Sequence, residues 1–402
     1  MMKIALVTQE YPPETARGGI GSQTEIKAKG LTALGHQVFV ISRSLDSKRH
    51  ERFNNGITVI RVPGMEDKMP DMTDSVQWVT NSLAMATEIH ALHKRVYLDI
   101  IDFPEWAAEG FIYLLNRTEW NYIPSVIQLH GPLVMFAHTM GWPEINSEFY
   151  RTGTHMEAKC VQLADAVYSS SECSARWIRK HYNPPDKNIP VIHLGVDTAL
   201  FAPQPVSKNK YPTIVFVGKF VANKGIHELV EASANSSRDF PGLKLRMLGK
   251  VEEKTSNQLR QKAIEFGAAD MLELPGQFER KDLPLELSQA HVFASPSYYE
   301  GGPGFVYLEA MACGLPVVGC NGSGVDEIVK SGENGLLVSP KNVTELEQAL
   351  RKILSDQKLR SQMGTKARDF VVREADSQQC LKRLEEFYFS VIQTLRMNKE
   401  AV

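Results

Sequence analysis

Short apolar, β-branched runs alternate with amphipathic helical stretches from one end of this chain to the other. That alternation limits the fold more than any other feature. "KIALVT" (Lys3–Thr8), "QVFVIS" (Gln37–Ser42), "GITVIRV" (Gly56–Val62), "LDIIDF" (Leu98–Phe103), "PSVIQLH" (Pro124–His130) and "AVYSSS" (Ala166–Ser171) read as strands with helical segments between most of them. A strand–helix–strand rhythm builds a parallel sheet covered by helices on both faces. The rhythm resumes at "TIVFVG" (Thr213–Gly218). It continues through "LKLRMLG" (Leu243–Gly249), "MLELPG" (Met271–Gly276), "HVFASP" (His291–Pro296), "PVVGC" (Pro316–Cys320) and "GLLVS" (Gly335–Ser339), and the tail from Asn342, a cap residue, reads as helical. Between the two series, residues 184–212 hold six prolines, a linker composition, with the strand-like "VIHLG" inside it. The expected fold class is α/β: two Rossmann-like, doubly wound domains facing a cleft where ligands gather.

A chain of 402 residues is long enough for two such cores. Its net charge of −2 argues against a dedicated nucleic-acid binder, which would carry a basic excess. No apolar run approaches the ~18–20 residues that span a bilayer. The opening "MMKIALVTQEYPPE" reads as a first strand rather than a signal peptide. The five cysteines are scattered and form no C-x-x-C pair, so neither a disulfide framework nor a zinc site is expected, and the compartment expected is the reducing cytoplasm.

Glycines gather where strands hand over to helices. Gly18, Gly19 and Gly21 lie between the first strand and first helix, where backbone N–H groups can approach a phosphate. A tight turn without a ligand explains them equally well. Ser22 and Glu25 have the S-x-x-E spacing of a capping box, and Gly35 is placed to end that helix. Thr24 stands where a third glycine would complete G-x-G-x-x-G, and there is no P-loop, so a dinucleotide or ATP-hydrolysis reading is weak. In "VFVGKFVANKGIHELVEA", Lys219 and Lys224 flank a loop that leads into a helix, a diphosphate clamp if they are not two solvated loop lysines.

The richest stretch is "YYEGGPGFVYLEAMACGLPVV" (Tyr298–Val318), at the start of a segment, residues 301–335, that holds nine of the chain's 28 glycines. Phe305–Cys313 reads as a helix whose first-turn residues Gly304, Phe305 and Val306 present unpaired N–H groups. Glu309, one turn further in among apolar neighbours, suits a vicinal diol such as ribose; an exposed helix glutamate is the bland alternative. Glu300 and Glu309 could also be an acid/base pair for glycoside hydrolysis. His130 follows a strand, where sites gather, or it simply caps that strand. Met135, Phe136, Met140 and Trp142 fall in an expected loop that reads as a lid, an acceptor groove or a covered surface segment.

Together the segments "GGIG", "LGHQVFVIS", "QLHG", "SSSE", "IHLGVDTALF", "FVGKFVANKG", "FASPSYYEGGPGFVYLEAMACGLPVVG" and "ENGLLV" resemble the GT-B glycosyltransferases of family 4, retaining enzymes that use nucleotide sugars. The resemblance covers essentially the whole chain. It implies an acceptor-binding domain over residues 1–196, joined by the last helix (376–402), and a donor-binding domain over 197–375. It further implies that Glu309 binds ribose and that the amides of Gly304, Phe305 and Val306 bind phosphate and sugar. Glu300 would hold sugar hydroxyls, Lys219 and Lys224 the diphosphate, Gly19 would approach it from the other domain, and His130 would sit near the transferred sugar. Two departures stand out. The family's E-x7-E spacing is E-x8-E here, and Lys219 replaces a usual arginine, keeping the charge without bidentate recognition.

The implied reaction moves a hexose, best guess glucose from UDP-glucose, to a glycan, lipid-linked or small-molecule acceptor. No cofactor and no metal are expected, since no D-x-D stands in a suitable loop. The partners expected are the nucleotide sugar and the acceptor, with room for peripheral contact at the inner membrane. An epimerase, a sugar phosphorylase or a silent nucleotide-sugar binder on the same architecture are the rival readings.

Overall fold

In the first half of the chain, seven strands form one sheet. They are β1 (Lys3–Thr8), β2 (Gln37–Arg43), β3 (His50–Asn54), β4 (Ile57–Val62), β5 (Ile100–Pro104), β6 (Ser125–Leu129) and β7 (Ala166–Ser169), in the order β3-β4-β2-β1-β5-β6-β7. In the second half, β8 (Thr213–Val217), β9 (Lys244–Leu248), β10 (Leu272–Gly276), β11 (Val292–Ala294), β12 (Val317–Cys320) and β13 (Gly335–Val338) pair in the order β10-β9-β8-β11-β12-β13. Apart from the β3–β4 hairpin, every pairing between these strands is parallel. Central strands such as β5 and β6 are buried at every residue, as parallel strands covered on both faces must be.

This computed structural model describes residues 1–15, 19–46, 48–64, 74–193 and 195–400. The chain divides into two units, Met1–Leu194 with Cys380–Val402, and Gly195–Gln379. In the first unit, Ala5, Val7, Phe39, Ile101, Phe103 and Ile127 centre the core. In the second, separate apolar clusters lie around Phe216 and Met247 and around Phe293 and Tyr307. The strand order reverses direction at β1/β5 in one sheet and at β8/β11 in the other, and the carboxyl ends of strands at such switch points are where α/β proteins bind ligands.

The last helix (Ser377–Glu400) belongs mostly to the first unit, held there by a buried polar network. Tyr388 and Tyr168 donate their hydroxyls to Asp102 Oδ2, the latter at 2.7 Å, and Lys27 Nζ reaches the same oxygen at 2.8 Å and Gln128 Oε1 at 2.6 Å. Where the chain enters and leaves the second unit, Val196 pairs with Asp376.

Three local expectations need correction, and one strand was not expected. The first described helix starts at Gly19, so Ser22 lies inside it and is no N-cap, and Glu25 pairs instead with Lys29 at 2.6 Å. Its end is as expected: Gly35 has φ +87°, and the His36 amide donates back to Leu31 O at 3.1 Å. The segment Leu133–Met140 is a helix, not a loop, with Met135 buried and Met140 on the surface. Among the described residues of "VIHLG" there is only a single bridge, Val191 to Ser169. Finally β3, which has no apolar alternation, is an exposed, charged edge strand joined to β4 by an Asn55-Gly56 turn with φ of 50° and 80°. Asn342 does cap its helix, accepting from the Glu345 amide at 3.0 Å.

Among the described residues all five cysteines are free and buried, and no helix is long and apolar enough to cross a membrane.

Candidate functional site

In the second unit the candidate residues converge at the carboxyl ends of the neighbouring strands β8 and β11. After β8 the chain runs through exposed Lys219 into a single 3-10 turn (Ala222–Lys224), then Gly225, then the helix Ile226–Ser237. After β11 it runs through Pro296–Pro303 to the helix Phe305–Ala312. The two loops are stitched together, since the Tyr298 amide donates to Asn223 O at 2.9 Å and the Ser297 hydroxyl donates to the same oxygen at 3.3 Å. Lys224 and Glu300 face each other across that seam as an ion pair, each side chain mostly buried. Lys219 has no such partner among the described residues.

Gly304 is the N-cap of the Phe305–Ala312 helix, with φ +73° and no side-chain cap. A Cβ at this position would meet the Tyr307 ring at 2.9 Å, and Glu300 Cδ lies 3.9 Å from it. The helix's first amide bonds run from Tyr307 and Leu308 to Gly304 O, so the N–H groups of Phe305 and Val306 remain as the donors of a free helix start. Residues 301–303 form bends between Glu300 and the helix start. Glu300 thereby folds back beside that helix start while Glu309 sits a turn inside it.

Glu309 is 5% exposed and forms an ion pair with Arg280 at 2.6 Å through Oε1, leaving Oε2 without a protein partner among the described residues. Burial outweighs the single guanidinium, and its carboxyl is pushed up from 4.5 to about 7. It is therefore not the exposed helix glutamate of the bland reading. Glu300 and Glu309 are each held by a different cation, Lys224 and Arg280.

In the first unit, His130 follows β6. Its amide and that of Gly131 both donate to Glu105 Oε1, at 2.6 and 2.5 Å. Its Nδ1 is buried with no partner among the described residues, and desolvation reinforced by Lys27 lowers the imidazole to about 3. His130 is a neutral hydrogen-bonding group at neutral pH. Glu105, which follows β5, is fully buried, and burial raises it to about 7. Next to it Ala107 and Ala108 take left-handed φ of 64° and 49°, a strained turn of the kind held in place at functional sites. Gly19 is exposed at the first residue of its helix, and a Cβ there would meet nothing. Space alone does not require glycine at that point, and Gly18 lies outside the described residues.

Sequence reasoning missed two partners. Arg280 is 29 residues from Glu309 on a different loop, with no motif to flag it. Glu105 carried a weak signal, an acidic residue directly after a strand in "DFPEW", but its bond to the His130 loop is a tertiary fact.

The family model for glycosyl transferases group 1 matches residues 198–370, and that for glycosyltransferase family 4 matches residues 17–200. A glycogen synthase of Mycobacterium tuberculosis is 25% identical over 97% of this chain and 95% of its own length. A GDP-mannose-dependent alpha-(1-6)-phosphatidylinositol monomannoside mannosyltransferase of Mycolicibacterium smegmatis is 30% identical, over 64% of this chain and 72% of its own. The crystal structure of Anabaena Alr3699/HepE in complex with UDP and glucose superposes with TM-score 0.75 at 20% identity, covering 97% of this chain and all of that one.

Proposed function

Because this chain belongs to the GT-B glycosyltransferases of family 4, we propose that it moves glucose from UDP-glucose to a glycan, lipid-linked or small-molecule acceptor with retention of configuration and without a metal. The observation that carries the donor site is the Lys224–Glu300 pair beside the free start of the Phe305 helix, on adjacent strand ends. In this reading Lys219, Lys224 and the amides of Phe305 and Val306 receive the diphosphate. Glu300 accepts from sugar hydroxyls next to Lys224, and Glu309 Oε2 accepts from the ribose diol while Arg280 holds Oε1. The choice of UDP-glucose is supported by the HepE complex with UDP and glucose; the mycobacterial relative named for GDP-mannose supplies the competing donor.

The chemistry follows from where charge develops. As the bond between sugar C1 and the diphosphate breaks, negative charge grows on the β-phosphate, and preorganised cations and amides lower the barrier most there. The acceptor oxygen bonds to C1 on the face the diphosphate leaves, and its proton passes to a β-phosphate oxygen. Two lysines and a helix start then supply the charge stabilisation that a divalent cation provides elsewhere. His130, kept neutral by burial, is a hydrogen-bonding group rather than a charge, and Glu105 fixes its loop. UDP release from UDP-glucose in EDTA tests this: slow turnover that an acceptor accelerates is expected, and strict dependence on added Mn²⁺ or Mg²⁺ would overturn the metal-free site.

A further inference from the structure

Two cavities, one within each unit, differ in their electrostatics. In the first unit, a cavity of about 580 Å³ is lined by cations that mostly face carboxylates, Arg61 and Arg52 toward Glu14, Lys29 toward Glu25 and His50 toward Asp46. In the second unit, a cavity of about 440 Å³ lies under the N-terminal ends of β11 and β12, between the 203–208 segment and the helix Gln357–Glu374. This is the edge of the sheet opposite to the donor residues. Its wall holds Lys208, Arg360 and Arg368, and among the described residues none of the three is paired with a carboxylate. Among the described residues Asp369 is the one acidic residue of the wall, and it is exposed and makes no ion pair.

The three cations spend only part of their hydrogen-bonding capacity on the protein, and only on backbone carbonyls. Lys208 Nζ donates to Ala290 O at 2.7 Å. Arg360 donates through Nη1 alone, to Ile353 O and Leu354 O at 3.0 Å each. Arg368 donates to Phe201 O at 3.1 Å, to Ala312 O, and to Thr198 O at 3.5 Å. Those carbonyls account for why cations gather here, since several belong to helix C-termini. They leave the Nε and Nη2 hydrogens of Arg360 and two hydrogens of Lys208 unspent. Asp356, the N-cap of the same helix, is a carboxylate whose charge acts on Arg360, but no ion pair joins them among the described residues. Burial pushes the Cys313 thiol up to about 12, and His291, in the same wall, has Nδ1 already committed as acceptor from the Thr213 amide at 3.0 Å. Lys208 and Arg360 repel one another closely enough that burial and this repulsion together depress the lysine.

We propose that this cavity is a binding site for a phosphate monoester group, separate from the donor site, with Lys208 and Arg360 as its principal ligands and Arg368 closing the wall. A doubly charged oxyanion satisfies an ammonium and a guanidinium at once through charge-assisted bonds, and the cavity has room for a small organic residue attached to it. The probe is inorganic phosphate, titrated calorimetrically into the full chain saturated with UDP in EDTA at constant ionic strength. Two variants accompany the wild type. Lys208→Gln removes one charge from an exposed segment, and Thr365→Glu places a carboxylate on the exposed wall of the cavity without removing any cation–carbonyl bond. Phosphate binding in the presence of UDP, weakened at least about tenfold in each variant while UDP affinity stays unchanged, is the expected result. No phosphate binding, wild-type phosphate affinity in both variants, or loss of phosphate binding on UDP saturation would overturn the site. Each of those outcomes leaves the donor reading untouched, because UDP binding is measured in the same samples.

Discussion

Replacing Glu309 by glutamine separates stability from recognition, because the same burial that suits the side chain to a ribose diol works against its ionised form. The carboxyl stands at about 7 in the folded protein against 4.5 for the ordinary group, with burial the larger influence and Arg280 opposing it. A carboxyl raised on folding contributes stability in its protonated form, fully present below about 4.5 and lost as pH rises through about 7. At about 1.4 kcal/mol per tenfold change in proton affinity, this one group removes roughly 3 kcal/mol from the folded state by pH 8, of which about 1 kcal/mol is lost between pH 6 and 8. Glu309→Gln has no such proton to lose. The midpoint difference between variant and wild type in thermal unfolding is expected to move in the variant's favour by about 2–4 °C between pH 6 and 8. Donor recognition should move the other way. Exchanging a charged acceptor for an amide costs about 2 kcal/mol, roughly 30-fold in Kd for UDP at pH 8. Calorimetric titration of UDP at both pH values reads this directly, with wild-type affinity rising as the carboxyl ionises and the variant staying flat. A variant that binds UDP as tightly as wild type at pH 8 would refute the ribose role, and a stability difference independent of pH would refute the buried, protonated carboxyl.

Three further outcomes are expected. Lys224→Ala should lower the rate of UDP release on the order of 10²-fold if the ammonium meets developing phosphate charge, with Glu300→Gln retaining more activity; a wild-type rate in Lys224→Ala removes that role. Gly304→Ala forces a side chain into φ +73° against Tyr307, so it should cost about 1–3 kcal/mol of stability and weaken UDP-glucose binding by displacing the helix start, as read by denaturant unfolding and titration. His130 is depressed to about 3, so the unfolded chain takes up a proton that the folded chain refuses between about 6.5 and 3; stability contributed by the neutral imidazole is lost as pH falls through that window, and His130→Asn should flatten that part of the acid-stability profile.

Residues whose role is set by position along a strand or helix were readable from the sequence. The parallel sheets follow from period and length, and Lys219, Lys224, Glu300 and His130 all follow strand ends because βα loops always do. What could not be read is set by packing across distance. The Lys224–Glu300 pair joins residues 76 apart and the Tyr388–Asp102 bond joins residues 286 apart. The left-handed turn at Ala107–Ala108 has no glycine to announce it, because tertiary contacts rather than local preference hold it. Conversely, Ser22 and Glu25 showed that a capping-box spacing is only permissive, since a helix that begins earlier at Gly19 turns the same residues into interior ones. The Asn55-Gly56 turn was readable and was obscured by its polar edge strand.

The most direct measurement is a thermal-shift comparison of UDP-glucose, GDP-mannose and ADP-glucose in EDTA, with Lys224→Ala and Glu309→Gln alongside the wild type, since a donor that binds only the folded state raises its unfolding midpoint by mass action. UDP-glucose should give the largest shift, and that shift should shrink in both variants. A larger shift with GDP-mannose would reassign the donor, and shifts that are equal in wild type and both variants would contradict the site itself.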